Sequence, residues 1–279
     1  DSVQFKENAR GRWQEVAGAW QKWLPYINRW YGSATEMMLD LAELEPGHTV
    51  LDVAAGSGAQ SILAAGRVGP KGSLLAIDIA QNLLRMAKDS ANQAGVSNVR
   101  TRVMDAENLE LDDASFDAVI SRLGLMLLPD PDRALAEAHR VLKPGGRYSC
   151  IVFSSGANNP YFSITSDIMR RHAAAPPPGP NEPDAFRYAE PGALIDSLKR
   201  AGFHSVAAHK VRFTVEFPTL AEGLAFRREV LGVRHSLLKD MSDQRRDEMW
   251  FEIQTALEGY SGPGGLSVPG ETLVGVGTK

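Results

Sequence analysis

A short apolar strand that runs directly into a glycine turn is the feature that most constrains the fold of this chain. Residues 50–58 read VLDVAAGSG, and residues 59–65 continue in a helical pattern. This order of strand, turn and helix places backbone N–H groups and a helix N-terminus against a nucleotide-like ligand. A second apolar strand, 73–77, ends in Asp78, twenty residues after Gly58, where a carboxylate can accept hydrogen bonds from both hydroxyls of a ribose. The sequence therefore predicts a nucleoside-bearing ligand.

The details of the turn distinguish between two kinds of nucleoside ligand. Dinucleotide-binding domains share the strand, the turn and the distant acid, but they place a third Gly or Ala three residues after the second glycine. In this chain that position is Ser61, and the turn begins with Ala54 and Ala55. Fewer glycines favour a ligand without a pyrophosphate. A nicotinamide-dependent oxidoreductase is therefore the alternative and not the first prediction.

Two further strands end in polar residues at the edge where ligands bind in open parallel sheets. Strand 98–103 leads into Asp105, where an adenine amino group would find an acceptor, and strand 116–121 leads into Arg122. The remaining predicted elements are a helix that opens at Asp130-Pro131, a fifth strand at 147–153, a sixth at 203–217 and a last, antiparallel strand at 267–278.

Four segments together resemble class I S-adenosylmethionine-dependent methyltransferases, in the methyltransferase type 11-like group similar to the ubiquinone/menaquinone-biosynthesis C-methyltransferases: LDVAAGSG, IDIA, MDAENL and FDAVISRLGLMLLPDPDRALAEAHRVLKPGG. The resemblance implies an α/β fold, with a doubly wound, seven-stranded, mostly parallel Rossmann-like sheet and an antiparallel last strand. It also implies a helical N-terminal lid at 1–42 and a methyltransferase domain at 43–279 with helical insertions at 154–190 and 218–265. One departure from the motif is Ala54, which replaces its first glycine.

The resemblance also implies which residues bind S-adenosylmethionine, the expected cofactor. The turn would line the methionine and ribose, the acid after the second strand would hold the ribose hydroxyls, and the residues after the third strand would meet the adenine. The end of the fourth strand would lie beside the methionine or the methyl acceptor. The implied cofactor-binding residues are Asp52, Ala54, Gly56, Gly58, Asp78, Ile79, Asp105, Ala106, Ser121 and Arg122.

Aromatic residues near the N-terminus predict a wall for the acceptor pocket. Residues 8–42 have a helical pattern with four tryptophans, and Ser33 and Glu36 have the spacing of a capping box, which indicates a helix start there. The same aromatic stripe also fits an amphipathic helix that packs on the body of the domain. The predicted substrate-binding residues are Trp20, Trp30, Tyr31, Arg122 and Phe162.

Methyl transfer from S-adenosylmethionine needs few protein groups because the methyl group is already activated. A general base is needed only when the acceptor must first lose a proton. The candidates for that role are His172, Tyr188 and His235. Arg227 and Arg228 are interpreted as part of a solvated helix face, and a negatively charged acceptor is the alternative that would change this interpretation.

Composition and charge restrict the classes of binding partner and the cellular compartment that we expect for this chain. The chain has a net charge of -4 and a pI of about 5.9, without the basic footprint that nucleic-acid binding requires. No apolar run approaches the ~18 residues of a membrane span and no signal pattern is present, so a cytoplasmic chain without a membrane span is expected. The single cysteine, Cys150, is interpreted as a core residue, and no metal site is expected.

The sequence therefore predicts an S-adenosylmethionine-dependent methyltransferase that acts by in-line SN2 displacement on a small, aromatic or apolar molecule. The alternatives are a nicotinamide-dependent oxidoreductase and a non-catalytic S-adenosylmethionine-binding protein. The acceptor atom (carbon, oxygen, nitrogen or sulfur) and the oligomeric state are left open.

Overall fold

A mixed β-sheet forms the centre of the structure, a computed structural model that describes residues 2–179, 182–230, 238–239 and 241–279. Its strands are β1 (Thr49–Val53), β2 (Ser73–Asp78), β3 (Val99–Val103), β4 (Phe116–Arg122), β5 (Leu142–Phe153), β6 (His204–Phe217), β7 (Ser261–Gly262) and β8 (Gly265–Thr278). Across the sheet the order of the described strands is β3-β2-β1-β4-β5-β8-β6, and β7 pairs with β8. The strands β1 to β5 run parallel, whereas β8 is antiparallel to both β5 and β6.

This topology confirms the predicted fold class. The seven long strands and the antiparallel insertion of β8 beside β6 agree with the sequence analysis, and the two-residue β7 is an addition that it missed. β5 begins at Leu142 and not at the predicted residue 147. The extra residues pair irregularly, because the ladder between β4 and β5 shifts register between Phe116 and Ala118.

Helices cover both faces of the sheet. They are α1 (Ser2–Leu41), α2 (Ala59–Val68), α3 (Gln81–Gln93), α4 (Pro131–Val141), α5 (Pro160–His172), α6 (Ala193–Arg200), α7 (Leu220–Glu229) and α8 (Asp243–Glu258). Because side chains alternate along a strand, Val50 and Leu51 of β1 enter different cores. One core includes α2, α3 and the end of α1, and the other includes α4 to α8 and the middle of α1. Among the described helices none is both long enough and apolar enough to cross a membrane.

The first helix is continuous where the sequence analysis expected a new start. α1 passes through Ser33 without interruption, so the predicted capping box is wrong. Its buried stripe runs from Trp23 to Met38 with helical spacing, and this packing overrides the local capping signal. Glu36 instead forms an ion pair with Arg67 of α2, with 2.5 Å between Oε2 and Nη2.

The start of α4 agrees with its predicted position, and the start of α8 has a similar cap. The Asp130 side chain accepts a hydrogen bond from the Arg133 N–H at 3.0 Å at the start of α4. The Ser242 hydroxyl accepts one from the Arg245 N–H at 3.3 Å at the start of α8. Both bonds satisfy N–H groups that have no partner within the helix.

The substitution Gly58→Ala is expected to destabilise the domain by about 2–4 kcal/mol. Residue 58 has a φ of 83°, and an added Cβ would lie 2.6 Å from the Cβ of Ala87 in α3. Gly95→Ala is the matched control: its φ is 69°, but nothing lies within 4 Å of an added Cβ, so only the backbone strain of about 1 kcal/mol is expected. Urea unfolding measures both variants, and equal losses would contradict the close packing of the turn on α3.

Candidate functional site

The glycine turn between β1 and α2 uses left-handed backbone at three positions, Ala54 (φ 55°), Gly56 (φ 57°) and Gly58 (φ 83°). Ala54 stands where the resembling motif has glycine. Its methyl group fits because residue 124, just after β4, is glycine: a Cβ on Gly124 would lie 2.5 Å from the Cβ of Ala54. Gly124, in the segment that follows β4, thus leaves room for the alanine that departs from the motif.

Asp78 ends β2 and joins the turn to the start of α3. Its Oδ2 accepts a hydrogen bond from the Gly56 N–H at 2.9 Å, and its Oδ1 accepts one from the Ala80 N–H at 2.8 Å. Burial raises the pKa of this carboxyl, while the two N–H donors act in the opposite direction. Ile79 lies half-buried beside it. Because a carboxylate oxygen can accept two hydrogen bonds, each oxygen of Asp78 can accept one more.

Asp52 lies beneath the turn and has no exposed surface. Its carboxyl accepts hydrogen bonds from the Ser61 hydroxyl at 2.5 Å and from the Gln60 amide at 3.2 Å, which hold the first turn of α2 on β1. Burial raises the pKa of Asp52 to about 7, against the opposing effects of these bonds and of the Arg122 charge. A direct contact between Asp52 and a ligand therefore stays a prediction.

The acid predicted to meet the adenine is held by the beginning of α1. Lys6 Nζ lies 2.7 Å from Asp105 Oδ2 and 2.5 Å from Glu107 Oε2. Glu107 is buried and also accepts a hydrogen bond from the Asp130 N–H at 2.9 Å, and Ala106 is buried in the core. Local patterns could not predict this contact, because Lys6 and Asp105 are 99 positions apart.

A cavity of about 420 Å³ lies between α1, the turn and the end of β4. This volume is within the range of ~300–1,000 Å³ that is typical of ligand pockets. Asn28 of α1, Ser57 of the turn and Arg122 of β4 are among its lining residues. Arg122 Nη1 donates to Asn28 Oδ1 at 3.2 Å, and burial lowers the pKa of Arg122. Ser121, next to Arg122, is buried. α1 forms one wall of the cavity, and the glycine turn and α2 form the opposite wall.

Three predicted acceptor residues belong to one aromatic cluster, which comprises Trp23, Tyr26, Trp30, Tyr31, Phe153, Tyr161, Phe162, Phe186, Phe213, Phe217 and Phe226. The Trp30 ring centroid is 5.2 Å from that of Phe217, and the Phe162 centroid is 4.9 Å from that of Phe153. Tyr31 connects the two groups, since its ring lies 6.1 Å from Phe153 and 6.4 Å from Trp30. The structure thus brings Trp30, Tyr31 and Phe162 together.

Trp20 lies apart from the aromatic cluster and pairs with Trp13, with 5.9 Å between the ring centroids. Conversely, Phe213 and Phe217 are cluster members that the sequence analysis missed. They are four residues apart on β6, and strand side chains two or four positions apart share a face. That spacing is the signal that could have identified them.

Arg227 contacts the aromatic cluster, so its predicted place on a solvated helix face is wrong. Its exposed fraction is 8%, and its guanidinium carbon lies 5.8 Å from the Tyr161 ring centroid and 5.3 Å from that of Phe162. The prediction failed because α7 packs closely on α5, where the Tyr161 hydroxyl donates to the Gly223 carbonyl at 2.7 Å. Arg228 is exposed, as predicted.

The two candidate bases that the structure describes do not line the cavity. His172 Nε2 lies 2.8 Å from Glu252 Oε2 of α8, and Tyr188 is buried, which raises its pKa. The third candidate, His235, lies outside the described residues. Cys150 is a buried core residue, as predicted, and burial raises its pKa to about 12.

Comparison with known proteins identifies the domain. Residues 50–146 match the family described as "Methyltransferase domain". The chain is 40% identical over 113 residues to the ubiquinone/menaquinone biosynthesis C-methyltransferase of Ralstonia pickettii (strain 12J), a match that covers 40% of this chain and 46% of that protein. The chain thus spans about half the length of the curated relatives it matches.

Solved structures share the fold over most of the chain. One is phosphoethanolamine N-methyltransferase 2 of Haemonchus contortus in complex with S-adenosyl-L-methionine, with a TM-score of 0.55 and 18% identity, which covers 88% of this chain and 52% of that one. Another is the [4+2]-cyclase SpnF, with a TM-score of 0.55 and 21% identity, which covers 88% of this chain and 79% of that one. At these identities the likeness concerns the fold alone.

Residues 50–146 thus match a methyltransferase domain, and the sheet topology around them supports assignment to the class I, S-adenosylmethionine-dependent methyltransferases. Within that class, the domain is similar to the C-methyltransferases of ubiquinone and menaquinone biosynthesis.

The variant Asp52→Asn is expected to be less sensitive to pH than the parent chain. The folded pKa of about 7 lies above the unfolded value near 4, so between these values only the folded carboxyl is protonated. The parent chain therefore loses stability as the pH rises through this window, and the loss is complete above pH 7. Relative to the variant, we expect the parent to lose about 2–3 kcal/mol between pH 5 and pH 8.

Urea unfolding at pH 5, 6, 7 and 8 measures this difference. Asp117→Asn is the control, because the hydrogen bond from Lys143 lowers the pKa of Asp117 despite its partial burial. Its contribution changes only in acid, so its difference from the parent should stay constant over the same range. A constant difference for Asp52→Asn as well would contradict the raised pKa.

Proposed function

We propose that this chain transfers the methyl group of S-adenosylmethionine to a small aromatic acceptor. The observation that carries the proposal is Asp78, a strand-end carboxylate that fixes the Gly56 N–H and can still accept two hydrogen bonds. A ribose has two hydroxyls, which could donate these two hydrogen bonds. The cavity beside the same turn, at Ser57, is large enough for a ligand.

The residues present fit the cofactor at each strand end. Asp78 would hold the ribose, and the turn residues Gly56 and Ser57 would line the methionine portion. Asp105, which already accepts hydrogen bonds from Lys6 and from the Glu107 N–H, would meet the adenine amino group with its remaining lone pairs. The ion pairs of Lys6 support the proposal that α1 acts as a lid over this end of the site.

S-adenosylmethionine supplies a methyl group that a sulfonium already activates. The task of the protein is to hold the acceptor in line with that group and to exclude water. Trp30 and Tyr31, which are buried in the aromatic cluster, would form the apolar wall of the acceptor site. A site with little water favours methyl transfer, because the positively charged sulfonium becomes neutral as the methyl group leaves.

The named relatives support quinol-like aromatic molecules as the first acceptors to test. A nicotinamide-dependent oxidoreductase is less well supported, because Ser61 replaces the third small residue of the dinucleotide motif and β8 inserts antiparallel into the sheet. A non-catalytic, S-adenosylmethionine-binding role is the other candidate, because a fold does not by itself determine a reaction.

Isothermal titration with S-adenosylhomocysteine and, in parallel, with NADH tests the cofactor. We expect micromolar binding of S-adenosylhomocysteine and none of NADH. Methylation of phenols, quinols and amines with labelled S-adenosylmethionine then tests turnover. Binding of NADH alone would refute the proposal, and cofactor binding without any methylated product would favour the non-catalytic role.

The variant Asp78→Ala should bind S-adenosylhomocysteine about 10–150-fold more weakly, a loss of about 1.5–3 kcal/mol for hydrogen bonds to a charged acceptor. The same titration measures the change. Asp89→Ala is the control, because it removes an equal charge from the exposed face of α3. Since Asp78 also holds the Gly56 N–H, the thermal stability of both variants is compared. Unchanged affinity in Asp78→Ala would contradict the placement of the ribose.

A further inference from the structure

A buried guanidinium stands among the rings that the proposed acceptor would contact. Arg227, in the last turn of α7, is 8% exposed and lies over the rings of Tyr161 and Phe162. Phe162 is itself a predicted acceptor residue. Cation–π contacts of this kind stabilise a guanidinium, but they do not neutralise its charge.

No carboxylate neutralises Arg227 within the part of the chain that the structure describes. It forms no ion pair there, and its Nε, which is buried, donates no hydrogen bond. The groups whose charge state acts on it are the hydroxyls of Tyr161 and Tyr31. Burial raises the pKa of both tyrosines, so both are neutral at neutral pH.

An unpaired cation in such a place is costly, because burial removes the water that would solvate it. Buried ionisable groups of this kind are candidates for functional sites, where a ligand can supply the opposite charge. Arginine is suited to an oxyanion, since its planar fork can donate two parallel hydrogen bonds to a carboxylate and can stack on aromatic rings. The Phe162 and Tyr161 rings beside it match an aromatic ligand.

Tyr31 links this guanidinium to the cavity. Its ring lies 6.1 Å from that of Phe153, which lies 4.9 Å from the Phe162 ring. Arg227 lies over that same Phe162 ring at 5.3 Å. Arg122 lines the cavity beside the glycine turn, and so does Gly32, the residue after Tyr31. Arg227 is thus near the acceptor side of the site, across Tyr31 from the residues proposed to hold the cofactor.

We propose that Arg227 determines acceptor specificity by binding an oxyanion on an aromatic acceptor, either a carboxylate or an ionised phenol. This inference rests on the proposed function, because it assumes that the aromatic cluster receives the acceptor.

Binding measurements on the chain saturated with S-adenosylhomocysteine test this proposal. The carboxylate probes are benzoate and 2-naphthoate, each compared with its carboxamide. The phenol probe is 4-nitrophenol above its pKa, compared with 4-nitroanisole. We expect at least one anion to bind tenfold or more tightly than its neutral counterpart, and the pair that shows the preference identifies the source of the oxyanion.

The variant Arg227→Met should abolish this preference and leave the affinity for S-adenosylhomocysteine unchanged. Arg228→Met is the matched control, because Arg228 is the adjacent residue, is exposed and lies over Trp250 at 4.8 Å. It should retain the preference. We also expect the Tm of Arg227→Met to equal or exceed that of the parent chain, because the variant removes an unpaired buried charge and keeps an apolar contact with the rings.

The outcomes separate this proposal from the proposed function. If S-adenosylhomocysteine does not bind, the methyltransferase proposal fails. If it binds but no anion is preferred by the parent chain, or if Arg227→Met keeps the preference, only the role of Arg227 is refuted. A marked fall in the Tm of Arg227→Met would likewise refute it, since the arginine would then be structural. The comparison of each anion with its neutral counterpart uses the parent chain alone, so this test does not depend on whether a variant folds.

Discussion

The hydrogen bond from the Gly56 N–H to Asp78 joins the carboxyl ends of β1 and β2, and the geometry of the site depends on it. The same carboxylate fixes the Ala80 N–H at the start of α3, so one side chain positions the turn and a neighbouring helix together. Asp52 has the corresponding role below the turn, where it holds α2 on β1. Two buried carboxyls therefore set the shape of the turn from both sides. The cost of burying them is visible in their raised pKa values.

α1 both packs in the hydrophobic core and contributes residues to the candidate site. Its last turns pack in one core of the sheet, its middle contributes Trp30 and Tyr31 to the aromatic cluster, and Lys6 reaches the acids after β3. The residues of α1 that line the cavity, among them Asn28 and Gly32, lie beside this core-facing stripe and not in it. Changes to the two sets of residues can therefore be compared, with stability and ligand binding measured for both.

Local patterns in the sequence were sufficient for the seven long strands apart from the start of β5, for the turn and for the Asp130 cap, because the residues that determine them are neighbours in the chain. The features that were missed depend on contacts between distant segments. Ser33 has a capping signal that tertiary packing overrides. The charge of Arg227 suggested solvent, but the packing of α7 on α5 buries it. The pairing of Lys6 with Asp105 has no local signal at all.

The position of β8 has a consequence for the order in which the sheet can be assembled. β6 is joined to the rest of the described sheet through β8, and β8 in turn pairs with β5, where Arg147 faces Thr278. Contacts so far apart in sequence form slowly, because a long loop must first close. During synthesis, the strands β1 to β5, with the glycine turn, can pair as they leave the ribosome, whereas β6 must wait for residues 265–278. Until then the free edge of β5 is open to other strands, and chaperones that shield such edges would matter most in this interval.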